Sequence, residues 1–139
     1  MVNAKIIEAA QRQFATVLEE QLARIERIKG QVEKTDYTKL DQVVVGILGG
    51  DGIGPFIAEE AERVLATLLK DAVSSGKVDF RVIDGLTIEN RAAKLKAIPD
   101  DVLADIKKCH VTLKGPTTTP EKGDEWPNIE SCNVAMRKE

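Results

Sequence analysis

The stretch Val43-Val44-Val45-Gly46-Ile47-Leu48-Gly49-Gly50-Asp51-Gly52-Ile53-Gly54-Pro55 decides how this sequence folds. Its first six residues are a short, nearly continuous apolar run, the pattern of a strand buried on both faces of a parallel sheet. The glycines that follow demand a tight turn, and Pro55 suits the opening of a helix. Strand, glycine turn and helix within so few residues are the start of an α/β unit.

Reading toward the C-terminus, the spacing predicts a helix over 55–74, with Ile57, Ala61, Val64, Leu65 and Leu68 on its inner face and Ser74-Ser75-Gly76 as its stop. Val78-Asp79-Phe80-Arg81-Val82-Ile83 reads as a second strand. Residues 86–97 and 99–108 read as two shorter helices, the second opening at Pro99, and His110-Val111-Thr112-Leu113-Lys114 as a third strand. The order strand, helix, strand, helix, strand implies parallel pairing with right-handed crossovers. Residues 115–139 have no clear period but hold most of the chemically interesting positions. Sites in open α/β sheets lie beyond the carboxyl ends of strands, where residues 49–55 and 115–120 should emerge.

Toward the N-terminus, residues 4–33 read as one long amphipathic helix. Ile7, Ala10, Phe14, Val17, Leu18, Leu22, Ile25 and Ile28 recur every three or four positions, with Gly30 as an end signal and Lys34-Thr35-Asp36-Tyr37 as a linker. Such a helix docks on the body or on a partner subunit; its polar face mixes both signs of charge, unlike a membrane-surface helix. The expected organisation is a helical extension and linker over 1–40 and an α/β body over 41–139.

A length of 139 residues supports one domain with a real core. With only Phe14, Tyr37, Phe56, Phe80 and Trp126 as aromatics, that core is built from Val, Ile, Leu and Ala. A net charge of −3 offers no basic field for a phosphate backbone, which argues against a nucleic-acid role. No apolar run approaches the ~18–20 residues of a membrane span. Cys109 and Cys132 form no zinc spacing and no CxxC pair. Cys109, ahead of an apolar run, reads as a buried thiol, and Cys132 as a passive neighbour within a polar motif. Both fit a reducing cytoplasm, and the N-terminus lacks the pattern of a secretory signal or transit peptide.

The glycine loop fails the dinucleotide fingerprint G-x-G-x-x-G. Counting from Gly50 the sixth position is Pro55, and counting from Gly52 it is Ile57. No Gly-Lys-Ser/Thr follows, so it is not a phosphate-binding Walker loop either. Geometry alone leaves a structural turn and a ligand-facing loop both open.

Two motifs together carry a resemblance. The apolar strand with Gly-Asp-Gly-Ile-Gly-Pro is followed at a distance by Lys114-Gly115-Pro116-Thr117-Thr118-Thr119-Pro120 and then Ser131-Cys132-Asn133-Val134-Ala135-Met136-Arg137-Lys138. Residues 42–139 thereby resemble the N-terminal portion of the β-decarboxylating dehydrogenases, the isocitrate and isopropylmalate dehydrogenase family. Ser131 and Asn133 are similar to the isocitrate branch in particular. The resemblance implies oxidative decarboxylation of a 2-hydroxy tricarboxylate, isocitrate, with NAD or NADP and Mg2+ or Mn2+, in a cytoplasmic enzyme of the tricarboxylic acid cycle whose relatives are usually homodimers. It assigns Ser131, Asn133 and Arg137 to the substrate carboxylates. A hydroxyl and an amide hydrogen-bond an oxyacid, and a guanidinium grips one through two parallel bonds. Helical N–H groups add a favourable field if residues 131–137 open a helix. It assigns Lys114, Thr118 and Thr119 to the nicotinamide end of the cofactor.

Two features depart from the family pattern. Glu121-Lys122-Gly123-Asp124-Glu125-Trp126-Pro127-Asn128-Ile129-Glu130 is a longer and more acidic link than the glycine-rich form. Asp124 and Glu130 would need to turn outward, or bind metal, beside a tricarboxylate. Phe56 stands where an acid often follows the Gly-Pro pair. The metal aspartates and the Tyr–Lys acid/base pair of the family belong to later sequence, and Tyr37, the one tyrosine, lies outside the resembling region. Asp51 and Asp84 read as turn residues rather than metal ligands. The expectation is therefore an N-terminal fragment inactive alone, with one half of a split enzyme and a non-catalytic binding or regulatory module as the competing readings.

Overall fold

The computed structural model describes residues 4–30 and 35–139. The chain divides into two compact units, Met1–Asp36 and Tyr37–Glu139. In the first, helix α1 spans Ala4–Gly30, 27 residues with none buried. The predicted extension of this helix to residue 33 falls outside the described residues.

The second unit is an α/β layer structure. After a single turn of 3-10 helix at Tyr37–Lys39 come β1 (Val43–Leu48), α2 (Gly54–Leu68), α3 (Lys70–Ser74), β2 (Val78–Val82), α4 (Ile88–Lys94), α5 (Asp100–Ile106), β3 (Val111–Lys114) and α6 (Cys132–Lys138). The three strands form a parallel sheet in the order β2-β1-β3. Val43 pairs with Val78 and Ile47 with Val82 on one side. Val45 pairs with Val111 and Leu48 with Lys114 on the other. The central position of β1 explains its uninterrupted apolar run, since both faces and both edges are covered. His110 closes the start of the β1/β3 pair: its N–H donates to Val44 O (2.9 Å) and its Nδ1 accepts from Val44 N (3.0 Å).

Leu48, Ile83, Leu86, Ile98, Val102 and Cys132 make the buried core, with Leu103, Ile106, Cys109, Ala135 and Met136 packed against it. The sequence reading of the two cysteines is corrected here. Cys132 has no exposed surface and is a full core member, whereas Cys109 is only partly buried. Burial still pushes the Cys109 thiol above its ordinary pKa.

The helix predicted over 55–74 bends at Leu69, whose backbone leaves helical geometry (φ −103°, ψ 19°) although Leu69 N still donates to Leu65 O and Val73 N to Leu69 O. Its buried positions are Gly54 and Ala58. Ile57, Val64 and Leu68, expected inside, are 47%, 56% and 75% exposed. At Gly54 a Cβ would run into Gly49 O, so the start of the helix lies too close to the glycine loop for a side chain there. The two later helices are shorter than predicted. Thr87 caps α4 by accepting from Asn90 N (3.4 Å), and a left-handed Leu95 (φ 50°) ends it.

Candidate functional site

With β1 flanked by β2 and β3, the chain leaves β1 toward one side of the sheet and β2 toward the other, so β1/β3 is the topological switch point. The loops that follow these two strands meet there. Asp51 N donates to Pro116 O (2.8 Å) and Gly115 N to Leu48 O (2.8 Å). Gly50 has φ +75°, and a Cβ on it would run into Pro116 O; a Cβ on Gly115 would run into Gly49 O. Glycine is required at both positions by backbone-to-backbone approach.

Asp51 does more than shape its own turn. Its carbonyl accepts from Gly54 N (2.9 Å), as a turn residue's does. Its carboxylate accepts from Ile88 N (2.7 Å) and from Thr118 N (2.6 Å), tying together the glycine loop, the start of α4 and the threonine loop. A carboxylate at the first turn of a helix also meets the positive end of the backbone dipoles. Each Asp51 carboxylate oxygen thus serves a backbone N–H, and no group of three metal-ligating side chains converges among the described residues. The described residues by themselves offer no ligand set for a divalent metal.

The residue the sequence reading missed is Arg91. It is fully buried (0% exposed). Its Nε donates to Ala97 O (2.8 Å), one terminal nitrogen to Thr118 O (2.7 Å) and the other to Glu130 O (3.1 Å). A guanidinium is a rigid planar fork, so the Thr118 and Glu130 carbonyl oxygens stand no more than about 8 Å apart. A second tie runs parallel: Thr117 Oγ1 and Cys132 Sγ share a hydrogen bond of 2.8 Å. Together these bring the threonine loop to the head of α6.

Each predicted site residue can now be placed. Lys114 ends β3, part-buried, and its Nζ donates to Gly115 O (2.7 Å). Thr118 and Thr119 are exposed on the loop. Ser131 is the N-cap of α6, half-buried, and its side chain makes no capping bond. Asn133 and Arg137, four residues apart, share an exposed face of that helix. Arg137 lies about 9 Å along the axis from Ser131. Among the described residues its guanidinium has no hydrogen bond or ion pair. Of the acids that would repel an anion, Asp124 is folded back to accept from Glu121 N (2.7 Å), and Glu130 is paired with Lys138.

Two clefts open at this end of the sheet. The smaller, about 290 Å³, lies at the switch point and is lined by Asp51, Gly52, Ile53, Pro116, Thr117 and Thr118. The larger, about 430 Å³, lies between β1 and β2 and presents Glu59, Glu62 and Asp84. Three carboxylates make the larger cleft the wrong place for a polyanion, so size alone does not choose the site. Ser131, Asn133 and Arg137 line neither cleft; the smaller cleft is tied to the head of α6 by Thr117, which bonds Cys132 Sγ, while Arg91 bonds Glu130 O just ahead of Ser131.

The family model described as isocitrate/isopropylmalate dehydrogenase matches residues 44–139. The NADP isocitrate dehydrogenase of Caldococcus noboribetus is 36% identical over 114 residues, covering 78% of this chain and 25% of that protein. That of Coxiella burnetii is 31% identical over 120 residues, 81% of this chain and 27% of that protein. That of Haloferax volcanii is 29% identical over 113 residues, 81% of this chain and 25% of that protein. The chain thus spans about a quarter of the length of these relatives. No solved structure matches. All of β1 but Val43, the two loops and the head of α6 lie inside the matched span, and the chain belongs to the isocitrate/isopropylmalate dehydrogenase family.

Proposed function

We propose that this chain supplies one wall of an isocitrate dehydrogenase site. Ser131, Asn133 and Arg137 hold the substrate carboxylates, and Lys114, Thr118 and Thr119 flank the nicotinamide end of NAD or NADP. The observation that supports this reading is the joint anchoring of Thr118 O and Glu130 O on one buried guanidinium, which brings the backbone before Thr119 close to the backbone before Ser131. The Ser131 hydroxyl, not spent on capping its helix, is available to donate to a carboxylate. The Asn133 amide and the solvent-facing Arg137 fork extend the same surface. The cleft of about 290 Å³ between the two loops, lined by Gly52, Ile53, Pro116 and Thr118 among others, is the space next to Thr119 that the cofactor end would use. A nicotinamide held by Lys114, Thr118 and Thr119 would supply a hydride acceptor for a secondary alcohol. The chain's own residues bind and orient; the metal, the acid/base pair and the rest of the cofactor site are assigned to other polypeptide.

The exposed row Ile57, Val64 and Leu68 on α2 and the unpaired outer edges of β2 and β3 fit a body that further polypeptide covers. Residues 41–139 accordingly act as the family portion and 1–40 as an extension, in a cytoplasmic, homodimeric enzyme. The isolated chain is expected to show no NAD(P)H production with isocitrate and Mg2+. Calorimetric titration with isocitrate should give a measurable affinity that Arg137→Ala abolishes and Glu121→Ala preserves. Equal binding by the two variants, or turnover by the chain alone, contradicts the proposal.

A further inference from the structure

We infer that Arg91 is a positioning residue: it sets the gap between the threonine loop and the head of α6, and with it the spacing of the two halves of the proposed site. The inference rests on the reading just given, in which Thr118 and Thr119 serve the cofactor and Ser131 the substrate.

The placement of its bonds is the first reason. All three recorded side-chain acceptors are backbone carbonyls, at Ala97, Thr118 and Glu130, and all three lie in irregular segments that no strand ladder or helix holds. The Thr118 carbonyl precedes Thr119 and the Glu130 carbonyl precedes Ser131, so each bond fixes the peptide that carries a site residue. Thr118 is gripped from both sides, since its N–H donates to Asp51 Oδ2 (2.6 Å) while its C=O accepts from Arg91 (2.7 Å).

The second reason is the choice of side chain. Burying a guanidinium is costly, and here its bonds to three carbonyls offset that cost, so an apolar chain of similar volume would leave those acceptors unpaired. What arginine adds is a rigid fork that fixes several acceptors at set distances, which a lysine on a flexible stem cannot reproduce. Binding groups must be held to about 0.5 Å to act together, and that precision has to come from supporting residues of this kind.

The test compares wild-type chain with Arg91→Lys, Arg91→Ala and Val102→Ala. Val102 is a core residue of α5 outside the site (4% exposed) and serves as the stability control. Isocitrate affinity should fall about tenfold or more in Arg91→Lys and Arg91→Ala, and free guanidinium ion should partly restore binding to Arg91→Ala. Val102→Ala should lower Tm while leaving affinity unchanged within about twofold. Wild-type affinity in Arg91→Lys overturns the inference and leaves the proposed function standing. If the wild-type chain does not bind isocitrate, the proposed function fails, and ligand-free amide exchange decides the inference. Faster exchange at Thr118, Thr119 and Ser131 in Arg91→Lys than in Val102→Ala supports the positioning role; equal exchange removes it.

Discussion

Helix α1 and the loop layer around Arg91 invert the usual distribution of side chains. Along α1, Ile7, Phe14, Val17, Leu18, Leu22, Ile25 and Ile28 are all at least 42% exposed. In the loop layer a guanidinium has no exposure, and a carboxylate satisfies two backbone N–H groups. The difference separates two kinds of information. A periodic apolar row specifies that a helix forms, because its pattern is local. A buried polar tie specifies where irregular backbone goes, because its acceptors come from segments up to 39 residues away.

Replacing the buried fork should produce the largest effect. Arg91→Met keeps the volume but strands three carbonyls, and should cost about 3–5 kcal/mol in urea unfolding. A loss under about 1 kcal/mol would show that the loop layer is not held as described. Next comes Gly50→Ala, which forces a side chain into a left-handed position against Pro116 O. It should cost about 2–3 kcal/mol by the same measurement. Asp51→Asn keeps one acceptor and turns an amide toward an N–H, so thermal unfolding should report about 2 kcal/mol lost, with new exchange at Ile88 or Thr118. Smallest is the paired change Phe14→Gln and Leu22→Gln on α1. With both side chains more than 60% exposed, stability should stay within about 0.5 kcal/mol. A drop beyond about 1.5 kcal/mol would mean that this face is covered and the contrast with the loop layer false.

The same contrast explains what could be read in advance. The run 43–48 announced a doubly buried strand, and the glycines after it announced a turn, because both signals are local. The inward face of α2 was misread because Gly54 and Ala58, small enough for close approach to the sheet, carry less hydropathy than the exposed Ile57, Val64 and Leu68. The bend at Leu69 carries no Pro or Gly to mark it. Asp51 was legible as a turn acid, but its bonds to residues 88 and 118 were not. Arg91 was invisible for the same reason: periodicity places a charged residue of a short amphipathic helix in solvent, and only the tertiary fold supplies the carbonyls that let it turn inward. The substrate-side and cofactor-side motifs were readable as sequence; that one guanidinium joins their backbones was not.

Residue-resolved NMR titration of the labelled chain with isocitrate asks most directly whether the two loops act as one site. Amides of Thr118, Thr119, Ser131 and Asn133 should shift along a single saturation curve with one common Kd, while those of Asp84 and Glu62 in the larger cleft stay still. Shifts confined to one loop, or led by the larger cleft, would contradict the account.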